Sequence, residues 1–159
     1  MRIRKLKIEN FLSIRRTTID FSAFHDGVFI ISGPTGSGKS AILDAIHFVL
    51  FGTPCNHNRA ISRKTLHSTF AGKGEPLKVW MEFEQDGVVY EVYRDMNYTG
   101  MSTGWFMKEG EGKISGIKEI NPAIEKVLML NSQQFDQMVT DNEGSCYDQR
   151  SFATQTFQK

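Results

Sequence analysis

Apolar and polar positions alternate with period two over several stretches, and the departures from that alternation mark the chain's organising centre. Residues 3–9 read as a strand with Leu6 and Ile8 inward and Lys5 and Lys7 outward. Asn10-Phe11-Leu12-Ser13 is a turn, after which Thr17, Ile19 and Phe21 alternate as a second strand, pairing with the first as a hairpin. His25-Asp26-Gly27 turns into Val28-Phe29-Ile30-Ile31-Ser32, a continuous β-branched run that reads as a buried strand. From Lys39 to Phe51 the residues are apolar nearly all round: Ile42, Ala45, Ile46 and Val49 on one face, and Leu43, Leu50 and Phe51 on another. That pattern predicts a helix buried on most sides, ended by Gly52 as a left-handed cap with Pro54 behind it.

Residues 52–76 form a long polar connection, of the kind that is usually functional or mobile. A short helix is expected within it, between Ser62 and Phe70. Alternation returns at Leu77 to Glu84, with Val79, Met81 and Phe83 on one side. Asp86-Gly87 is a strong hairpin signal, followed by Val88 to Arg94 with Val88, Tyr90 and Val92 sharing a face. Residues 103–108 and 113–117 form a further strand pair around Glu109-Gly110-Glu111-Gly112. Asn121-Pro122 reads as a helix start, and Ile124, Val127 and Leu128 supply that helix's apolar face. Asn131-Ser132 breaks it and caps a second short helix carrying Phe135, Met138 and Val139. From Thr140 the pattern stops; residues 145–159 are polar and expected to be loosely ordered.

Composition changes this picture little. The chain has 159 residues, 40% hydrophobic and 23% charged, which suits one globular domain with a real core. A net charge of +1 carries no global argument for nucleic acid or membrane, so any such argument must be local. Locally, Arg2, Arg4, Lys5, Lys7, Arg15 and Arg16 crowd the first hairpin, and Arg59, Arg63, Lys64 and Lys73 lie in the long connection. No apolar leader opens the chain and no run is long enough to span a bilayer, so a cytoplasmic, non-membrane protein is expected. Cys55 and Cys146 lack a Cys-x-x-Cys spacing, and His57 beside Cys55 lacks the further ligands a zinc site needs. His47 reads as a core or edge residue.

The candidate chemistry lies between the apolar strand and the apolar helix. Gly33-Pro34-Thr35-Gly36-Ser37-Gly38-Lys39-Ser40 matches G-x-x-x-x-G-K-[ST] at every fixed position. Glycines let backbone wrap closely round phosphate oxygens, and successive N–H groups at a helix N-terminus point at the anion. Residues Gly33 to Ala41 are therefore the expected nucleotide cradle. Lys39 is placed to reach the β- and γ-phosphates and Ser40 to put its hydroxyl on Mg²⁺, so ATP and Mg²⁺ are the expected cofactors.

The order of motifs resembles the opening of an SbcC-type ATPase, of the SMC-like group that acts in double-strand-break repair and chromosome structure. The resemblance rests on Lys7-Ile8-Glu9-Asn10-Phe11-Leu12-Ser13-Ile14, Thr18-Ile19-Asp20-Phe21, the phosphate loop, and Ile42-Leu43-Asp44-Ala45-Ile46. It continues through Leu66 to Ala71, Val79 to Glu84, Tyr90 to Arg94, and Lys126 to Val139, the last similar to the approach to the family's Q-loop. It implies an α/β fold: the N-terminal lobe of a P-loop NTPase with an ABC-ATPase-like head, with a mixed sheet and a β-rich flank. Residues 1–139 would be that lobe and 140–159 a tail atypical for the family. In the nearest register, Asn142-Glu143-Gly144, either Glu143 stands where the family's Q-loop glutamine would be or the tail is not family sequence. The resemblance further implies ATP held between two heads, a C-terminal lobe in cis or trans carrying the signature and Walker B residues, a nuclease partner of the SbcD type, and DNA. Arg59, Arg63 and Lys64 are the favoured DNA contacts.

No apolar strand ending in Asp-Glu is present; Val88 to Asp95 is apolar enough, but Arg94-Asp95 is expected to lead into a polar loop. The reading is thus an ATPase half-site that turns over only when completed. Its alternatives are a non-enzymatic nucleotide- or DNA-binding module or truncated remnant, and a self-sufficient P-loop kinase or GTPase, which lacks a visible base-recognition or acceptor motif.

Overall fold

The computed structural model describes residues 1–24, 31–55, 63–72 and 74–139. Six strands form one sheet: β1 (Arg2–Phe11), β2 (Ile14–Asp20), β3 (Leu77–Gln85), β4 (Val88–Met96), β5 (Ser102–Lys108) and β6 (Ile114–Ser115), in spatial order β2-β1-β3-β4-β5-β6. Among the described residues every pairing is antiparallel. The three hairpins expected from alternation and turn chemistry all form. At Asp86-Gly87 both turn residues have positive φ, 52° and 77°, the backbone a two-residue hairpin of right-handed twist requires.

Among the described residues the sheet is antiparallel throughout, where a mixed one was expected. Of the run Val28–Ser32, residues 28–30 lie outside the described residues, and Ile31 and Ser32 belong to no strand. Among the described residues β1 is hydrogen-bonded on both sides, to β2 and to β3, so no further strand can enter beside it. The turn expected at His25–Gly27 and the tail 140–159 also lie outside the described residues.

Helix α1 (Lys39–Phe51) spans the residues its apolar pattern marked out, and it packs on the inner sheet face against β1, β3 and β4. Leu6, Ile8, Val79, Met81, Phe83 and Val92 project from the sheet, and Ala45, Phe48, Val49 and Leu50 from the helix, all 0% exposed. Gly52 closes α1 in the left-handed region at φ 76°, its N–H donating to Phe48 O at 2.7 Å. Among the described residues of the long connection a single 3₁₀ turn forms, Arg63–Leu66, within the span expected to be a short helix.

Helix α2 (Ile117–Leu128) begins four residues before the expected start at Asn121-Pro122. Its N-cap is Gly116, and Pro122 lies inside the helix. The reason is tertiary. Burial of Ile120 together with Ile124 and Leu128 draws the earlier turn into the helix, and the Asn121 side chain is engaged elsewhere. Helix α3 (Ser132–Val139) starts as expected. Asn131 Oδ1 accepts from Gln134 N at 2.9 Å and Gln134 Oε1 accepts from Asn131 N at 3.0 Å, a reciprocal cap.

A second difference concerns β4, which continues to Met96 instead of leaving into a loop after Arg94. Arg94 points inward beside Val92 and Met96 and is 0% exposed. Its Nε donates to Val49 O at 2.7 Å, and its Nη2 donates to Leu50 O at 2.8 Å and to Asn121 Oδ1 at 2.5 Å. Asn121 Nδ2 in turn donates to Phe51 O at 3.2 Å. With Gly52 N on Phe48 O, every carbonyl of the last turn of α1 has a donor. α1 has no basic residue in its own last turn, so the guanidinium borrowed from β4 complements the negative end of the helix.

Candidate functional site

The opposite end of α1 carries the glycine loop. Thr35-Gly36-Ser37-Gly38 forms turns, with φ of 85° at Gly36 and 89° at Gly38, and Gly38 is the N-cap of α1. A side chain at Gly38 would be strained there and would meet Ser13 Oγ at 3.1 Å. Ser37 N donates to Pro34 O at 3.2 Å. The Lys39 ammonium turns back over the loop and donates to Gly33 O at 2.7 Å and Pro34 O at 2.8 Å. No acidic residue occupies the first turn of α1, so its positive end is not offset from within the helix. Backbone amides, an ammonium and a helix N-terminus facing one cleft can hold a polyanion.

That cleft has a volume of about 640 Å³ and is lined on one side by Thr35, Gly36 and Gly38 to Ala41, with Asp44 beyond them. Its other wall comes from two distant segments, Leu12-Ser13 and, from the second, Thr65, His67, Thr69 and Phe70. They are held together by backbone bonds: Leu12 N to Leu66 O at 2.8 Å, Ser68 N to Asn10 O at 2.9 Å, and a bridge between Phe11 and His67. Asn10 and Leu12 have φ of 55° and 47°, a conformation costly for residues other than glycine. It is over-determined here: Asn10 Nδ2 also donates to Pro76 O at 3.1 Å, and Phe11 is 0% exposed against Phe48. His67 is buried, its Nε2 bonded to Glu75 O at 2.6 Å, whereas Phe70 at the cleft's edge is 69% exposed.

Of the sequence-derived site residues, the structure thus brings Thr35, Gly36 and Gly38 to Ala41 to one cleft, with Gly33, Pro34 and Ser37 joined to it through Lys39. Glu143 and Arg59 lie outside the described residues, and of Arg63 and Lys64 only the backbone, in the 3₁₀ turn, is described. Sequence pattern alone did not mark the second wall as part of a site. The available signal was that Asn10-Phe11 and Leu66–Ala71 both belong to the resembling stretches.

Three of the basic residues of the first hairpin are paired with acidic neighbours. Arg4 pairs with Glu82 at 3.5 Å, Lys5 with Asp20 at 3.2 Å, and Arg16 with Glu9 at 2.8 Å. The Ser22 hydroxyl, and after it Lys5, hold the Asp20 carboxyl below its ordinary range. Lys7 sits over the Trp80 ring at 4.6 Å. Asp95, at the end of the apolar strand β4, accepts from Tyr93 Oη at 3.1 Å and Thr103 Oγ1 at 2.8 Å.

Among the described residues no helix is long and apolar enough to cross a membrane. The family model of the AAA domain matches residues 5–159. The SbcC component of the nuclease SbcCD from Staphylococcus aureus (strain MRSA252) is 34% identical over 145 residues, covering 84% of this chain and 14% of that protein. The chain thus spans about one seventh of the length of such relatives. Among solved structures, the Smc head domain with an extended coiled coil bound to the C-terminal domain of ScpA, from Pyrococcus furiosus, superposes with a TM-score of 0.62 at 25% identity, covering 83% of this chain and 34% of that one. A chain solved in work on ATP-driven dimerization and DNA stimulated activation of SMC ATPases has a TM-score of 0.61 at 24% identity, covering 100% of this chain and 93% of that one. The fold is that of a P-loop NTPase. The chain belongs to the AAA-domain family, and it is similar to SbcC and to SMC head domains.

Proposed function

We propose that the chain is the ATP- and Mg²⁺-binding N-terminal lobe of an SbcC-like DNA-processing ATPase, and that it turns ATP over only when a C-terminal lobe completes the site. The observation that carries the reading is the Lys39 ammonium held on the Gly33 and Pro34 carbonyls, at the N-terminus of α1 and at the floor of a cleft of nucleotide size. The amides of Gly33 to Ala41 would cradle phosphate oxygens, and Lys39 would bridge the β- and γ-phosphates. The Ser40 hydroxyl in the cleft fits one position of Mg²⁺, an ion that takes its other oxygens from phosphates and water. Bound Mg²⁺ would supply charge neutralisation; the chain's own part is to fix the phosphates and exclude water.

Phosphoryl transfer also needs a positioned water and compensation of the charge that develops. In this reading those come from a second head's signature and from Walker B residues supplied in cis or trans, with Glu143 at the Q-loop position. Residues 1–139 are the lobe and 140–159 a tail beyond it. DNA, contacted through Arg59, Arg63 and Lys64, and an SbcD-type nuclease are the partners the reading implies.

The test measures nucleotide binding and turnover separately. The chain should bind a fluorescent ATP analogue in the presence of Mg²⁺, with affinity lost about 100-fold in Lys39→Ala, since truncating one partner of a charge-assisted contact costs several kcal/mol. Alone it should hydrolyse ATP at background rate, with turnover appearing on addition of the C-terminal lobe. Full turnover by the isolated chain, abolished by Lys39→Ala, refutes the half-site; unchanged binding by Lys39→Ala refutes the cradle.

A further inference from the structure

At the far end of α1 from the phosphate loop, three donor atoms from distant parts of the chain converge. They are His47 Nε2 on α1, Cys55 Sγ just after it, and an Asp136 carboxylate oxygen on α3, all within 4.8 Å of one another. His47 Nε2 is 3.1 Å from Asp136 Oδ1, and Cys55 Sγ is 3.1 Å from the same oxygen. His47 is 1% and Cys55 3% exposed. Phe51 and Phe135 pack on the imidazole with ring centroids 5.1 and 5.9 Å away.

The histidine's other nitrogen determines what this arrangement can do. Nδ1 is 2.8 Å from Thr53 O. A carbonyl only accepts, so Nδ1 carries the proton and donates. Nε2 is thereby left as a lone-pair atom 3.1 Å from a carboxylate oxygen, a contact that needs a proton or a metal ion between the two. A backbone carbonyl that fixes the outer nitrogen is the support metal-binding histidines usually have. The donor set is thiolate, imidazole and carboxylate, all three ligands of zinc. Zinc bond lengths of about 2.0 Å to N and O and 2.3 Å to S give tetrahedral edges of roughly 3.3–3.5 Å, a few tenths of an ångström from both 3.1 Å contacts, while the third edge, Nε2 to Sγ, lies within 4.8 Å and closes to that length as the ion binds. We propose that His47, Cys55 and Asp136 form a zinc(II) site, with the fourth position open to water on the side of Ser132, whose Oγ is 3.2 Å from Nε2. Binding forms a zinc–sulfur bond and releases the Cys55 thiol proton to solvent. The ion would pin α3 and the segment after Gly52 to the C-terminal half of α1, and nothing in this depends on nucleotide binding.

Nucleotide-free chain, stripped with a chelator and kept reduced, is titrated with Co²⁺ as a spectroscopic stand-in and then with Zn²⁺. One equivalent of Co²⁺ should give a thiolate-to-cobalt charge-transfer band with tetrahedral d–d bands, displaced by Zn²⁺, and Zn²⁺ should raise the Tm. The charge-transfer band should vanish in Cys55→Ser and persist in Cys146→Ser, and Asp136→Asn should weaken zinc binding at least about 10-fold, the lower end of what even an outer-shell change costs. Absence of the charge-transfer band in the unaltered chain overturns the proposal without reference to any variant's folding. A band that survives Cys55→Ser, or is lost in Cys146→Ser, overturns it as well.

Discussion

Replacing Arg94 by methionine tests how α1 is held, and the outcome can be worked from the contacts. The substitution keeps an unbranched side chain in the buried slot and removes three hydrogen bonds, to Val49 O, Leu50 O and Asn121 Oδ1. Two helix carbonyls then lose a donor in a buried setting, and the Asn121 amide oxygen, on a half-buried residue, loses one as well. Each such loss costs roughly 1–3 kcal/mol. Relief from burying a guanidinium offsets part of the sum. A net loss of about 3–5 kcal/mol is expected, which for a domain of this size lowers the Tm by roughly 10 °C. Arg94→Lys should lie between the two, because a single ammonium cannot reproduce the fork that serves Val49 and Leu50 together. The assay is urea unfolding followed by circular dichroism, read as a shift in midpoint at constant slope. A double-mutant cycle with Asn121→Ala should return a coupling of about 1–3 kcal/mol. An Arg94→Met protein within about 0.5 kcal/mol of the parent, the ordinary range of surface substitutions, would refute the reasoning and show that the guanidinium adds nothing beyond its volume.

Two further outcomes follow from the same sheet. Gly104→Ala should destabilise by about 1–3 kcal/mol, the usual cost of overpacking, because its methyl would lie 2.5 Å from Tyr93 O and 3.2 Å from Arg94 Cγ; the same urea series measures it. Burial, and after it the Asp95 charge, push the Tyr93 phenol up from 10.0 to about 12. The fold favours the protonated phenol, so its contribution is complete below pH 10 and is lost as pH rises through about 12. A spectrophotometric titration should therefore contain a late phenolate phase that is missing in Tyr93→Phe. A difference between the two proteins that titrates at the ordinary value contradicts the assigned environment.

The local elements of this protein were legible in its sequence because short-range physics decides them. Alternation places Leu6, Ile8, Val79, Met81 and Phe83 on one face whatever the strand order, and all five are 0% exposed. Asp86-Gly87 selects its turn from two residues' backbone preferences, and Gly52 ends α1 because its φ of 76° suits glycine. The same holds for the glycine loop at the mouth of α1. What sequence could not decide were partners far away along the chain. Arg94 looked like a strand end meeting solvent, yet its acceptors are carbonyls 44 and 45 residues earlier. Asn121-Pro122 carried a helix-start signal, but Asn121 is used to join Arg94 to Phe51 O, and burial of Ile120 moved the start to Ile117. The second wall of the cleft exists only because backbone bonds tie the β1–β2 turn to Leu66–Ser68. Cys55 and Asp136 meet across 81 residues, a distance no spacing rule covers. Short-range preferences thus named the elements and the phosphate loop, while the packing of one apolar helix on one sheet decided what stands at either end of it.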